Sequence, residues 1–375
     1  MISKIKRIFK IFFKTKIKFK KLEKKEILFF DISHVDIIVN QFKLKNHHIL
    51  HTRDEEYNFW ILMSMIIKLK FNKVNYYRAY ITEISPKVVI TLIDNRVEFY
   101  ELKKFFNKVI FISIQNGLRK PGYNDIFKQN HFLNSKNLSC DYIFTFNRFI
   151  ASEYRKYIKS KYIAHGSFKN NIVNFNYKKK NKIFLLISQF RNLNSKQNII
   201  YEKKVLSLLR KYFSETKSKL YILLSSKNNK NKLREKFFYK TYFGYNCNFC
   251  EGKKWQDSYK ILDSYENIIF FDSTLGYEAI SRKKKVAAIS LRPSKTLKEY
   301  FGWPSNVTKR NIDFFVAKKL DYSEIKRILN NIKNCSIEKW NQKYFYLIKD
   351  QMCFDRNNTL LKKKIFEILD KNKNL

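Results

Sequence analysis

A two-domain α/β fold is predicted by three features of this 375-residue chain. Short apolar runs, each ending in polar residues, alternate with stretches of helical periodicity, which implies parallel sheets covered on both faces. The alternation halts at the lysine-rich stretch 178–182 and then restarts. The length exceeds what one typical core accommodates. Hydrophobic residues make up 45% of the chain and aromatics 17%, enough to build two cores and to exclude global disorder.

Residues 1–26 open the chain with Ile2, Ile5, Phe9, Phe12 and Phe13 at helical spacing and lysines between them. This reads as a basic amphipathic helix suited to an anionic membrane surface. Charges interrupt its apolar stretch and no small-residue cleavage site follows, so it does not read as a signal peptide. The first domain is expected over 27–177, with strands near 26–31, 86–95, 108–117 and 141–146 and helices over 59–69, 99–107 and 148–160. Residues 76–81 fit a strand or a helix end. The second domain is expected over 178–350. Its strands lie near 183–191, 220–226, 267–270 and 286–290, its helices over 201–213, 231–238, 258–264 and 323–334. A C-terminal helix, 351–375, finishes the chain, its helical pattern running over 358–372. No uncharged apolar stretch is long enough to span a bilayer.

The formal charge of +45 invites an anionic partner: nucleic acid, anionic lipid or a phosphorylated substrate. The plainer reading is compositional, since Lys, Asn, Ile, Phe and Tyr share A/T-rich codons. Zinc-finger spacing and glycine–aromatic RNA-binding signatures are lacking, so nucleic acid is not expected as a partner. The five cysteines form no disulfide framework and suit a reducing cytoplasm. Cys247 and Cys250 make a C-x-x-C without a second ligand pair, expected to pack in a turn. His34, His47, His48 and His51 lack metal-ligand spacing and read as loop residues. No metal and no cofactor are expected.

Four groups could carry chemistry. The first is Asp272, Ser273, Thr274, Gly276 and Glu278, where a strand hands over to a helix. A helix N-terminus offers unpaired N–H groups and partial positive charge, and so holds phosphate. The hydroxyls of Ser273 and Thr274 donate to phosphate oxygens, Gly276 admits close backbone approach, and Glu278 accepts from a ribose diol. Together they suggest a nucleoside diphosphate with a sugar attached. The plainer reading is a capping box closed by Glu278. The second group is Ser188, Gln189 and Arg191, with Arg282 and Arg292 as further cations for a departing pyrophosphate. The third joins Asp94 and Asn95 to Gln115, Asn116, Gly117 and Arg119, polar strand ends suited to a hydroxyl-rich acceptor. Asp94 is a candidate general base there, and loop-stabilising hydrogen bonds are the alternative. The fourth is His165–Asn171 before the linker, with His165 a second candidate catalytic group or a structurally satisfied histidine. P-loop, nucleophile-elbow, G-x-G-x-x-G and D-x-D signatures are lacking, which points to metal-independent stabilisation by dipoles and arginines.

These segments resemble a bacterial surface-carbohydrate glycosyltransferase of the GT-B type. The resemblance rests on 90–95, 111–119, 166–171, 187–191 and above all 272–279. It implies two facing Rossmann-like domains, with the nucleotide-sugar donor on the C-terminal one and a glycan or lipid-linked acceptor on the N-terminal one. It further implies work in lipopolysaccharide, capsule or related glycan assembly at the cytoplasmic face of the membrane. Such chains usually carry Gly after the arginine at the helix end, whereas Lys283 follows Arg282 here, so a different turn into the next strand is expected. The expected reaction is metal-independent glycosyl transfer. A nucleotide-sugar epimerase and a non-catalytic basic membrane-surface or nucleic-acid-binding protein are the alternatives.

Overall fold

The structure, a computed structural model, describes residues 15–67, 72–118, 137–175, 181–190, 196–226, 228–244, 247–271, 273–289, 313–317 and 319–371. It divides into two compact units. The first comprises Met1–Asn116, Ile126–Phe168 and Asn358–Leu375; the second comprises Gly117–Asp125 and Lys169–Asn357.

In the first unit, six strands form one parallel sheet: β2 (Ile27–Phe30), β3 (His47–Leu50), β5 (Val88–Thr91), β6 (Ile110–Ile114), β7 (Ser139–Thr145) and β8 (Lys159–Ala164). Their spatial order is β3-β2-β5-β6-β7-β8. β2 and β5 are buried at every position, as expected of strands with both faces covered. An aromatic cluster packs one face: the Phe30 ring lies 5.1 Å from Tyr77 and 5.5 Å from Phe99, and Phe99 lies 5.3 Å from Phe111. A separate parallel pair joins β1 (Lys16–Lys18) to β4 (Glu56–Asn58).

The second unit is also a six-stranded parallel sheet, made of β9 (Asn181–Ile187), β10 (Leu220–Leu223), β11 (Asn248–Cys250), β12 (Tyr265–Phe270), β13 (Lys285–Ile289) and β14 (Val316–Ala317). The order β11-β10-β9-β12-β13-β14 is the 3-2-1-4-5-6 arrangement of a dinucleotide-binding sheet. It reverses direction between β9 and β12, which pair directly, Ile269 beside Leu186.

With few glycines and prolines, helices start on polar caps. Asn72, Asn147, Asn228 and Asp321 each accept a hydrogen bond from the backbone N–H three residues on.

Several expectations are corrected. Residues 16–18 are strand, so no helix runs through to residue 26; residues 1–14 lie outside the described set. Residues 76–81 lie inside the helix Lys73–Ile84. The helix expected to 160 ends at Arg155, and the chain turns into β8, where pairing with β7 outweighs local helical pattern. His47 and His48 are strand residues rather than loop residues. Cys250 likewise ends a strand, β11. The final helix, Thr359–Lys371, belongs to the first unit, where Leu361 and Ile365 are buried. No described helix is long and apolar enough to cross a membrane.

Candidate functional site

In open α/β sheets, ligands gather beyond the carboxyl ends of the strands at the point where strand order reverses. In the second unit that point is the gap between β9 and β12. β9 runs into Ser188 and Gln189, and β12 runs through Phe271 to the helix Thr274–Ser281. Two candidate groups separated by more than eighty positions in the chain are therefore neighbours at one sheet edge.

Ser273 caps this helix. Its Oγ accepts from the Leu275 N–H at 3.3 Å, and its carbonyl accepts from the Gly276 N–H at 3.0 Å. Thr274 Oγ1 accepts from the Leu118 N–H at 3.4 Å, so the segment after β6 that belongs to the second unit touches the same helix start. Glu278 is buried one turn further in. The capping-box alternative is ruled out by position: counting from the Ser273 cap, the third helical residue is Gly276.

Gly276 has a different reason from the one expected. A Cβ built there would lie 2.1 Å from Cγ and Cδ2 of the buried Phe270. The glycine lets the helix pack closely on β12.

Arg282 is likewise reassigned. Its Nε donates to Asp263 Oδ1 at 2.8 Å, and one Nη donates to Asn170 Oδ1 at 3.1 Å and the Val173 carbonyl at 3.0 Å. The other Nη donates to the Asn174 carbonyl at 3.1 Å and to Asp263 Oδ2. All five N–H donors of a guanidinium are thereby used. The guanidinium also sits 4.5 Å over the Phe175 ring. With no exposed side-chain surface, Arg282 ties the helix end to Asp263 and to the segment after His165, and it has no donor left for a pyrophosphate. Lys283 takes the left-handed conformation that glycine usually fills, φ 57°, and its N–H still closes on the Ile280 carbonyl at 2.8 Å.

Ser188 is buried and donates to the carboxylate of Glu235, which the sequence reading missed. Glu235 is fully buried and also accepts from the N–H and Oγ of Ser225, both at 2.9 Å, and from the Ser226 N–H at 2.9 Å. One carboxylate thus binds together the loops that follow β9 and β10. The available signal was faint: Glu235 and Tyr239, four apart, share the buried stripe of the helix Asn229–Phe243. Gln189 is partly exposed beside Ser188. Arg191, Asp272 and Arg292 lie outside the described residues, as does Arg119 in the first unit's group.

In the first unit, Asp94 is fully buried. Tyr154 donates to its Oδ2, the Asn116 N–H donates to its Oδ1 at 3.2 Å, and Tyr100 donates to its carbonyl at 2.8 Å. Its donors come from the loop after β6 and from the helices Val97–Leu102 and Arg148–Arg155. Gln115 is buried and accepts from the Phe146 N–H at 2.8 Å, clipping the end of β6 to that of β7. Asn95 and Asn116 are exposed, and Gly117 is partly so. His165 is 1% exposed, its ring 5.1 Å from Phe144. Burial lowers its pKa to about 4, so it is neutral at physiological pH. Asp31, at the end of β2, is held by Thr52 Oγ1 at 2.7 Å and Arg53 Nε at 3.0 Å. Burial pushes its carboxyl up, but bonds from Thr52 and Ser33 and the charge of Arg53 outweigh it and hold the pKa below the ordinary value. Among the described residues, no three of His, Cys, Asp and Glu converge as a metal site.

Over residues 112–368, the chain matches the sequence profile of a family described as "putative O-antigen biosynthesis protein". The chain belongs to this family. The match runs from within β6 through β8 and covers all the described strands of the second unit, and so contains both groups at the β9–β12 gap. Comparison with functionally curated proteins finds no sequence match. Solved structures resemble this O-antigen family member in fold. Staphylococcus aureus MnaA with UDP is 13% identical, with 92% of this chain and 97% of that one covered at a TM-score of 0.55. UDP-GlcNAc 2-epimerase of Methanocaldococcus jannaschii, in complex with UDP-GlcNAc and UDP, is 13% identical and gives 93%, 100% and 0.54. The Neisseria meningitidis UDP-GlcNAc 2-epimerase bound to UDP-GlcNAc is 12% identical and gives 95%, 100% and 0.50. The shared fold is that of two Rossmann-like units, the GT-B class. At such identities the likeness extends to the fold alone.

Proposed function

We propose that the chain transfers a sugar from a nucleotide-sugar donor to a hydroxyl of a growing surface glycan, at the cytoplasmic face of the membrane. The observation that carries this reading is the helix start at Ser273 and Thr274, beside the Ser188 loop at the reversal point of the second sheet. N–H groups and dipole there favour a diphosphate. Glu278 is assigned to the ribose diol. The departing charge is stabilised by the helix end, with Arg191 and Arg292 as the remaining arginines for that role now that Arg282 is committed elsewhere. The nucleotide sugar is a substrate, and no cofactor or metal is invoked. Membership of an O-antigen biosynthesis family supports a glycan acceptor.

A nucleotide-sugar epimerase fits the fold equally well, since two of the solved structures above are named as 2-epimerases. Incubation with UDP-, GDP-, CMP- and dTDP-sugars without acceptor separates the readings. An epimerase converts the donor; a transferase hydrolyses it slowly at most and turns over only when a glycan acceptor is added. Glu278→Ala is expected to weaken donor binding about tenfold or more, measured by calorimetry, with the fold retained. Unchanged donor affinity and turnover in that variant would remove Glu278 from the site.

A further inference from the structure

The helix Phe59–Ile67 contains no charged residue. Its Ile61 and Met65 are buried in the first unit, while Trp60, Met63, Ile66 and Ile67 on the other side are 46%, 37%, 50% and 78% exposed. Trp60, Met63 and Ile67 follow the i, i+3, i+7 spacing of one helical stripe. Phe19, 66% exposed, extends the stripe: its ring lies 4.9 Å from that of Phe59, and its carbonyl accepts from Trp60 Nε1 at 2.6 Å. A helix that is apolar on its solvent side as well as its core side is not a normal surface element; such patches mark interaction sites.

The rim of this patch is mainly basic, with Lys18 paired to Glu56 and Lys20 to Glu23, both at 2.8 Å. Residues 16–25 hold six lysines and a single glutamate. The Lys21 ammonium lies 5.3 Å over the Trp60 ring. A cavity of about 460 Å³ beside the stripe is lined by Lys21, Trp60, Ser64, Arg78 and Glu83 among others, so two cations and one carboxylate face it. Protein–protein interfaces are depleted in lysine. Tryptophan at a polar–apolar boundary, aliphatic residues beyond it and a lysine rim match the headgroup region of an anionic bilayer.

We infer that this face of the first unit docks the chain onto an anionic lipid bilayer, with Trp60, Met63, Ile66 and Ile67 entering the headgroup–acyl boundary and the lysines of 16–25 meeting lipid phosphates. The inference stands apart from the donor-site reading. It also differs from attachment through the amphipathic residues 1–14, because the contact surface is built by a helix packed on the first unit.

Flotation of the full chain with phosphatidylcholine vesicles, with and without phosphatidylglycerol, tests it. The expected result is binding to the anionic vesicles that weakens with salt. Binding falls at least about tenfold in Met63→Glu/Ile67→Glu and several-fold in Lys21→Glu/Lys24→Glu. It is retained in Phe9→Glu/Phe12→Glu/Phe13→Glu. Circular dichroism checks each fold, and Ile67→Asp, at the most exposed position, serves if the double variant does not fold. Full binding by the Met63/Ile67 variant overturns the inference, as does loss confined to the Phe9/Phe12/Phe13 variant or equal binding to neutral vesicles. A dimer that Met63→Glu/Ile67→Glu abolishes, without vesicle binding, would assign the face to a second copy of the chain.

Discussion

Polar side chains at strand ends, and on the helices packed beside them, have two possible fates: to meet a ligand or to hold the loops that do. Asp94, Arg282 and Glu235 have the second fate. Each is buried, and each spreads its hydrogen bonds over segments far apart in the chain. For Arg282 the energetics are testable. The pair with Asp263 has side-chain exposures of 0% and 3%, and removing one partner leaves a buried charge. Arg282→Met is expected to destabilise the second unit by about 3–5 kcal/mol in urea unfolding. An unchanged unfolding midpoint in Arg282→Met would contradict the packing described here. These residue roles were only half legible. Residue type and position, at a strand end for Asp94 and a helix end for Arg282, marked both as important, but which way each side chain turns depends on partners such as Asp263 and Tyr154 elsewhere in the chain.

At the level of elements, the helix after β12 is defined from both ends by contacts. Gly276 abuts Phe270 at its start, and the left-handed Lys283 ends it. Gly276→Ala is expected to cost about 3 kcal/mol or more, since the added methyl meets the root of a fully buried ring and not the tip of a flexible chain. Combining it with Phe270→Ala should give a double-variant coupling of at least about 1 kcal/mol, read from chemical denaturation. Additive effects would show that the helix shifts instead. The buried strands β2, β5, β6 and β9 were readable because both faces are apolar. β3, β11 and β14 were missed because edge strands this short carry little pattern and form by pairing with a neighbour.

Across the whole molecule, the chain passes from the second unit back to the first at Asn358. That residue is fully buried. Its Nδ2 donates to the Phe168 carbonyl at 3.0 Å and to Gln41 Oε1 at 3.1 Å, and it hydrogen-bonds His165. The returning helix Thr359–Lys371 is thereby secured beside a buried neutral histidine, and acid should act there. His165 stays unprotonated when folded down to about pH 4, whereas the unfolded chain takes up the proton near its ordinary value of 6.5. As pH falls from 6.5 towards 4 the unfolded state binds more protons, so stability is lost over that window. The expected contribution is about 2 kcal/mol between pH 7.5 and 5, measured by urea unfolding. His165→Gln should flatten that part of the profile; an unaltered profile would exclude His165 as its source.

The sequence by itself determined the class of fold, the break into two α/β halves and the strand-to-helix turn at Ser273 and Thr274. Periodicity and strand-end chemistry are local properties, and they can be read along a chain. The pairing of β9 with β12, which brings Ser188 to Ser273, was decided only by the tertiary structure. So were the burial of Glu235 and the full use of the Arg282 guanidinium. The solvent exposure of an uncharged helix at Phe59–Ile67 was equally invisible, since its sequence reads like that of a core helix. Those properties depend on which distant segment lies opposite, and hydrophobic pattern sets that a residue is buried or paired far more often than it sets with whom.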